Sequence, residues 1–364
     1  MLALLHDPRV SSDSHNLTDP GGLIVGDDLP FIDRDPPDHD RMRTQATRFF
    51  GPPESAGLVT GQVPEIRRQI DSLIAAFPES GEVDLVDDFA YPLPVAVICR
   101  LLGVPPADEP QFRVWATQIV GGIDATHLAD SQEAIKHRDE ALLGLFGYLG
   151  ELIRQHRGSP DGSMLSGLAN DGSGAMSDVE LQTTGVLLLI AGHETTVNLI
   201  ANGMLTLLRN PGTLARLKRD PAWVIPLAEE LLRFEPPVQY LPNRAALADI
   251  TIDGTTIPQG SQLTLLIAAA NRDPGRFADP DRFDPDRADN QHLGFGSGLH
   301  YCFGAPLARL EVNMALTALA SSLDNARLLA DPPPYRPRPV LRGPLHLRIG
   351  YDRRLSTGDA GRRR

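Results

Sequence analysis

The sequence predicts a mainly α-helical fold with a smaller β region, because helix-type patterns come first along the chain and strand-type patterns appear late. The strongest helix pattern runs from Asp178 to Arg209. Ser177 and Glu180 form a capping-box pattern at its start, and Asn210-Pro211 ends it. At 1.5 Å per residue this helix would be about 48 Å long, enough to cross a domain of this size.

The remaining elements are shorter. Three further segments have helical character: 62–77, 109–120 and Ser131–Arg157. Asp161–Ser173 is rich in Gly, Ser and Asp and predicts a loop, while Asp249–Ile257 and Gln262–Ala268 are strand-like runs on either side of a Pro258-Gln-Gly260 turn. We expect a single domain over residues 1–355 and a disordered tail over residues 356–364.

Composition indicates a globular protein of the cytoplasm. The chain has 364 residues, of which 41% are hydrophobic and 22% charged, and its net charge of −13 argues against nucleic-acid binding. Cys99 and Cys302 are its only cysteines, so no disulfide framework is expected. The start, Met1–Leu5, is too short for a signal-peptide core, and the longest aliphatic run, Val186–Ala191, is far below the roughly 20 residues of a membrane span.

One cysteine lies in a glycine-rich loop, Phe295-Gly-Ser-Gly-Leu-His-Tyr-Cys-Phe-Gly304, directly before a predicted helix that begins at Ala305. The N–H groups and the partial positive charge of a helix start favour a thiolate, which is the form that binds metal. No second cysteine is nearby, so this would be a one-thiolate site and not a zinc or iron–sulfur cage. A buried cysteine beside a tight turn is the alternative.

This loop resembles the F-x-x-G-x-x-x-C-x-G signature of the cytochrome P450 family, matched by Phe295, Gly298, Cys302 and Gly304. The resemblance implies the cytochrome P450 fold, with a long central helix over a haem b. It makes Cys302 the axial ligand of the haem iron and places Phe295 and Gly304 in the cofactor-binding loop. Thiolate ligation of haem favours cleavage of the O–O bond.

A second motif, Ala191-Gly-His-Glu-Thr-Thr196, lies in the middle of the long helix. Gly192 and two β-branched threonines weaken a helix interior, so the motif predicts a place where the helix opens. It matches the family's A/G-G-x-D/E-T motif. The resemblance makes Thr195 the alcohol that steadies dioxygen at the haem and Glu194 the acid that feeds a proton relay, whereas a kinked core helix with a satisfied Glu194 is the alternative. His193 is predicted to have a packing or surface role.

A third motif, Glu230-Leu-Leu-Arg233, places opposite charges on one helix face. Many surface helices contain such a pair. Its position matches the family's E-x-x-R, which is closed by the arginine of a later F-x-P-x-R segment, here Phe283–Arg287. The resemblance implies that Glu230, Arg233 and Arg287 form a structural cluster around the cysteine loop.

Haem propionates need cationic or N–H donors. The resemblance points to four residues in register with the family: His39, Arg43, Arg244 and His300. His39 and Arg43 are four apart on a helix predicted to start after Pro36-Pro37. Taken singly, each residue could equally be a solvated surface group.

For the substrate, family positions indicate Leu187, Ala191 and Val238, which are equally plausible as core residues. Such a lining suits an apolar or mixed small molecule. The resemblance implies a monooxygenase that inserts one oxygen atom from O2 into a C–H or C=C bond, with ferredoxin and ferredoxin reductase as electron donors. It also suggests bacterial secondary metabolism and a monomer. The alternatives are a catalytically silent haem protein that recruits other enzymes and a peroxide-driven oxygenase.

The chain departs from the family pattern at its N-terminal end. Leu4–Ser12 is similar to the family's segment just after its second helix. We therefore expect the preceding helix and the first two strands of the main sheet to be missing. Either the start of the sequence is misplaced or the protein is truly short. A truly short protein would expose a strand edge and thin the wall of the substrate channel.

Overall fold

The computed structural model describes six stretches of the chain: 1–17, 29–50, 56–125, 132–173, 176–336 and 340–355. The expected tail, 356–364, lies outside these residues. The α-helices within the described stretches are α1 Leu2–Leu5, α2 Asp38–Phe50, α3 Ala56–Gly61, α4 Val63–Ala76, α5 Pro92–Leu102, α6 Glu109–Ala125, α7 Gln132–Gly158, α8 Met164–Ala169, α9 Asp178–Arg209, α10 Pro211–Arg219, α11 Val224–Phe234, α12 Ile267–Ala270 and α13 Ala305–Ser322.

The β region is small and lies mostly late in the chain. Its strands are β1 Val10–Ser11, β2 Gly81–Asp84, β3 Leu241–Ala246, β4 Ile250–Ile252, β5 Thr255–Ile257, β6 Gln262–Leu265, β7 Leu323–Asp324, β8 Arg327–Leu328, β9 Arg348–Tyr351 and β10 Arg353–Arg354. All pairs are antiparallel, in the orders β1-β3-β6, β2-β9-β8, β4-β5 and β10-β7. The mainly α fold with a smaller β region is confirmed.

The central helix α9 spans Asp178–Arg209, the bounds that the sequence predicts. Its capping box is formed: the Ser177 side chain accepts from the Glu180 N–H, and the Glu180 side chain accepts from the Ser177 N–H. Both orphan donors at the helix start are therefore satisfied. The helices predicted over 62–77, 109–120 and Ser131–Arg157 correspond to α4, α6 and α7.

Three local predictions are wrong. The loop expected over Asp161–Ser173 contains α8, because Ser163 caps the Ser166 N–H and Met164, Leu165 and Leu168 bury their side chains. The run Asp249–Ile257 is a hairpin of two strands, β4 and β5, and not one strand. Its turn residues, Asp253 and Gly254, have φ values of 49° and 78°, which the Asp-Gly pair of a type I′ turn accommodates. The second strand-like run also ends early, at β6, and is followed by α12.

Helix α9 forms the centre of the hydrophobic core and packs against α5, α7, α11 and α13. Among the described residues it is the one helix long and apolar enough to cross a membrane. However, 83% of its most apolar window is buried inside the protein, as expected for a core helix. Helix α13, which begins just after Cys302, packs on α9 and so connects the cysteine loop to the central helix.

Candidate active site

The cysteine loop is held closed by its own backbone. The Cys302 N–H donates to the Phe295 carbonyl oxygen at 2.9 Å, and Gly296 and Gly298 adopt φ values of 68° and 71°. These left-handed conformations favour glycine. At Gly298 space is also limiting, since a Cβ atom there would lie 2.3 Å from the Leu5 carbonyl oxygen. The glycine spacing of the signature is thus what lets α1 pack against this loop.

The thiol of Cys302 receives opposing influences. Burial raises its pKa, while the N–H groups of Gly304 and Ala305 and the positive charges of Arg43 and Arg309 lower it, and the net effect is an increase. The helix start therefore lowers the pKa of Cys302 as expected, but burial outweighs this effect in the protein without a bound cation. A metal ion bound to the sulfur would lower the pKa of the thiol and so compensate for its burial.

The four residues expected to bind propionates come together beside the cysteine. The rings of His39 and His300 lie 4.6 Å apart, centroid to centroid. Arg43 donates to the Tyr301 carbonyl oxygen at 2.6 Å. Burial lowers the pKa of His300 to about 3, and the positive charges of His39, Arg244 and Arg43 add to this effect. All four residues therefore share one electrostatic neighbourhood.

Asp33 is a further acid next to this cluster. Burial raises the pKa of Asp33 to about 6, against the opposing charge of Arg244. Burial in turn lowers the pKa of Arg244, although Asp33 and Asp35 oppose the effect. No motif in the sequence singles out Asp33, since its proximity to Arg244 arises only in the folded chain.

The cluster of His39, Arg43, Arg244 and His300 fits a haem, because it leaves two buried polar atoms available to a ligand. Among the described residues, the buried atoms His39 Nε2 and His300 Nδ1 have no hydrogen-bond partner. Buried polar atoms are normally satisfied, so such orphans indicate a site for a ligand with acceptors. Carboxylates beside two arginines and two imidazoles match this donor set. The haem propionates would supply them, with Cys302 as the thiolate ligand.

One face of α9 is not covered by protein at the second motif. Ala191 is exposed and Gly192 and Thr195 are half-buried, although the helix is almost entirely buried on both sides of them. Thr195 Oγ1 donates to the Ala191 carbonyl oxygen at 2.9 Å, and Thr196 Oγ1 donates to that of Gly192 at 3.3 Å. The predicted back-bonding is present, but α9 runs without interruption, so the expected opening of the helix is absent.

Glu194 is buried beside this face, with 3% of its side chain exposed, and forms an ion pair with Arg336. Arg336 is 142 positions away from Glu194 and belongs to no motif, so the sequence alone does not identify it. His193 is buried, with its ring edge-on to Tyr91 at 5.4 Å, in line with the packing role predicted for it.

The three candidate substrate residues lie in different environments. Ala191 is on the uncovered face of α9, and Leu187 lies one turn earlier in the buried core. Val238 is half-buried and forms an isolated antiparallel bridge with Leu341. Of the three, only Ala191 is exposed.

The third motif forms a buried ion cluster. Arg233 donates to both carboxylate oxygens of Glu230, at 2.8 and 2.7 Å, and both side chains are fully buried. Arg287 Nε lies 3.5 Å from Glu230 Oε2, and the Asp284 N–H donates to Glu230 Oε1 at 2.8 Å. The remaining Arg233 donors reach the carbonyl oxygens of Asn271, Pro280 and Arg282. The cluster thus joins α11 to the segment that leads to the cysteine loop.

A second acid on α11 holds the loop directly. Arg309 donates to both oxygens of Glu229, at 2.6 and 2.9 Å, and lies 4.5 Å over the Phe295 ring. Burial would raise the pKa of Glu229, but hydrogen bonds from Arg309 and His292 hold it at about 2. Glu229 was not identified from the sequence, since its partner is brought close only by the packing of α13 on α11.

Comparisons with known proteins agree with this geometry. A sequence model of the family Cytochrome P450 matches residues 130–324. The chain is 39% identical over 371 residues to the cytochrome P450 monooxygenase PikC of Streptomyces venezuelae, covering 98% of this chain and 85% of that protein. It is also 39% identical to the vitamin D(3) 25-hydroxylase of Pseudonocardia autotrophica over 345 residues, covering 93% and 82%.

Solved structures show the same fold. Ligand-free CYP164A2 of Mycobacterium smegmatis superposes with a TM-score of 0.87 at 41% identity, covering 96% of this chain and 88% of that one. P450BioI in complex with an acyl carrier protein superposes with a TM-score of 0.86 at 32% identity, covering 96% and 90%. From sequence, structure and relatives together, this chain belongs to the haem-dependent cytochrome P450 family and is a monooxygenase of its bacterial type.

Proposed function

We propose that this chain, as a single domain over residues 1–355, binds haem b through Cys302 and inserts one oxygen atom from O2 into a C–H or C=C bond of an apolar or mixed small molecule. The observation that carries this proposal is the convergence of His39, Arg43, Arg244 and His300 beside a half-buried cysteine. A cysteine with a packing role alone would need no such set of cationic and N–H donors around it.

The residues have distinct roles in this proposal. The haem, when bound, supplies the activation of O2. Cys302 holds its iron, and the four-residue cluster holds its propionates. Gly192 lets α5 pack closely on α9, since an added Cβ atom would lie 3.1 Å from Ile98 Cδ1. Because the proton of Thr195 Oγ1 is directed to the Ala191 carbonyl oxygen, the oxygen of this hydroxyl remains available as an acceptor.

Glu194 is the proposed acid of the proton relay into the pocket. It lies one residue before Thr195 and is almost fully shielded from solvent. A buried carboxyl group beside a reacting centre is suited to move protons one at a time. In the structure its carboxylate is held by Arg336.

The proposed substrate class rests on three aliphatic residues. Ala191 lies on the uncovered face of α9, Val238 is half-buried, and Leu187 lies in the core one turn before Ala191. Their side chains suit an apolar or mixed molecule. PikC and the vitamin D(3) 25-hydroxylase are named as a monooxygenase and a hydroxylase. A further relative is named for polyketide biosynthesis, which supports a role in bacterial secondary metabolism. We propose a monomeric cytoplasmic enzyme with ferredoxin and ferredoxin reductase as electron donors.

Oxygen uptake by the holoenzyme tests this function. With NADPH and a plant ferredoxin and reductase as surrogate donors, the wild type should consume O2 per haem well above the rate of its Cys302→Ser variant. Uptake no faster than in the variant would overturn the proposal and favour a silent haem protein. Substrate oxidation supported by hydrogen peroxide but not by NADPH would favour the peroxide-driven alternative.

A further inference from the structure

A polar stripe on α9 contacts the C-terminal segment of the chain, here Arg336 and residues 340–343. Glu194, Asn198 and Asn202 are spaced four residues apart, so they lie on one helix face. Each meets the C-terminal segment at a different point. Glu194 pairs with Arg336, and Asn202 Nδ2 donates to the Arg342 carbonyl oxygen at 3.0 Å.

The middle contact is a close packing of side chain on backbone. Asn198 is 1% exposed and lies against Gly343, where an added Cβ atom would be 2.0 Å from Asn198 Oδ1. Only a glycine allows the segment to approach α9 this closely. Gly343 is therefore held against the helix, and its carbonyl oxygen accepts from the Arg336 N–H at 3.5 Å, which links Arg336 to this contact.

The polar stripe lies beside the uncovered face of α9, not on it. Ala191 and Thr195 define that face, and Glu194 is three residues from Ala191. At 100° per residue, this spacing places Glu194 about 60° around the helix from Ala191. The Glu194 and Arg336 side chains are 3% and 13% exposed. The acid thus adjoins the pocket, but its carboxylate is held to one side by a buried ion pair.

We propose that Arg336 is a positioning residue, which holds the Glu194 carboxylate at the C-terminal segment so that the acid reaches the haem pocket only when this pair separates. The inference rests on the proposed function, because it assigns a control step to the same acid. Separating a buried pair exposes each charge to an unfavourable environment, so the pair resists opening. Arg336 would in this way set how often Glu194 can pass a proton to the pocket.

The energetic coupling of the pair is measured by a double-mutant cycle on the holoenzyme. Arg336→Gln should lower the Tm by roughly 4–7 °C, because it removes the positive charge that faces the buried Glu194 carboxylate. Adding Glu194→Gln should restore at least half of this loss, and Arg336→Lys should retain most of the stability. Arg342→Gln is the matched control: it removes one arginine of the same segment, which lies 3.7 Å from Glu235 and not at Glu194. It should change the Tm little.

A kinetic readout separates positioning from a merely structural role. Per haem, Arg336→Gln should change the rate of NADPH-driven oxygen uptake at least twofold in the wild-type background. It should leave the rate unchanged in the Glu194→Gln background, and Arg336→Lys should restore the wild-type rate. The inference would be overturned if Arg336→Gln changed the rate of oxygen uptake equally in both backgrounds, or if the effects of Arg336→Gln and Glu194→Gln on the Tm were additive. The proposed function would stand in either case, as long as the wild type takes up oxygen. Loss of Cys302-dependent uptake in the wild type would instead overturn the proposed function.

Discussion

Replacement of Glu230 by Ala is expected to destabilise the protein by about 3–5 kcal/mol and to release its haem. Glu230 is fully buried and accepts hydrogen bonds from Arg233 and from the Asp284 N–H. Its removal leaves the buried guanidinium of Arg233, and that of Arg287 nearby, without their carboxylate. The loss should extend to the cofactor, because the cluster joins α11 to the segment before the cysteine loop.

The Glu230→Ala variant is measured by denaturant unfolding and by the ratio of Soret to protein absorbance after purification. Arg282→Ala is the matched control, because the Arg282 side chain is 69% exposed and lies 3.8 Å from Asp284, while its carbonyl oxygen still accepts from Arg233. An exposed pair of this kind contributes about 0–1 kcal/mol. Wild-type stability and haem content in Glu230→Ala would show that the cluster does not support the site.

Replacement of Glu311 by Gln is expected to have the second large effect on the free energy of unfolding, and this effect depends on pH. It lies on α13, is 1% exposed, and its Oε2 has no hydrogen-bond partner among the described residues. Burial raises the pKa of Glu311 from 4.5 to about 8. Below about pH 4.5 the carboxyl group is protonated in both the folded and the unfolded chain, so it costs no stability there.

As the pH rises from 4.5 to about 8, the unfolded chain releases this proton while the folded protein keeps it. The free energy of unfolding therefore falls by roughly 1.4 kcal/mol for each pH unit in this window and levels off above it. Glu311→Gln removes the titration, so its stability relative to the wild type should grow across the window and reach several kcal/mol near pH 8.

Denaturant unfolding at a series of pH values measures this difference between Glu311→Gln and the wild type. Glu229→Gln is a control of opposite sign, because the pKa of Glu229 is lowered to about 2. The stabilisation from Glu229 is present above pH 4.5 and is lost as the pH falls towards 2, so its Gln variant should be the less stable one at neutral pH. A difference for Glu311→Gln that does not change with pH would contradict the account.

Local signals predicted much of this fold. The bounds of α9 were predictable because the capping box at Ser177 and the Asn210-Pro211 stop act within a few residues of the helix ends. The helix α8 was missed because its single cap, Ser163, lies within a stretch of turn-forming residues that hides the apolar spacing. The Asp253-Gly254 turn was a readable hairpin signal that the sequence analysis overlooked.

The candidate site was predictable where a motif marked it, and not where packing alone created a contact. The loop of Cys302 and the cluster of Glu230 follow motifs, so their residues could be named in advance. Arg336, Asp33 and Glu229 act through partners far away in the chain and belong to no pattern. The raised pKa of Cys302 was missed for a related reason, since burial depends on the whole fold.

The central claim is that Cys302 binds a haem iron as a thiolate. The most direct test is the carbon-monoxide difference spectrum of the reduced, purified protein, recorded beside Cys302→Ser. We expect a strongly red-shifted Soret band in the wild type and its loss in the variant. A wild-type protein that purifies with haem but shows the Soret position of a neutral ligand, or a band that persists in Cys302→Ser, would contradict the claim.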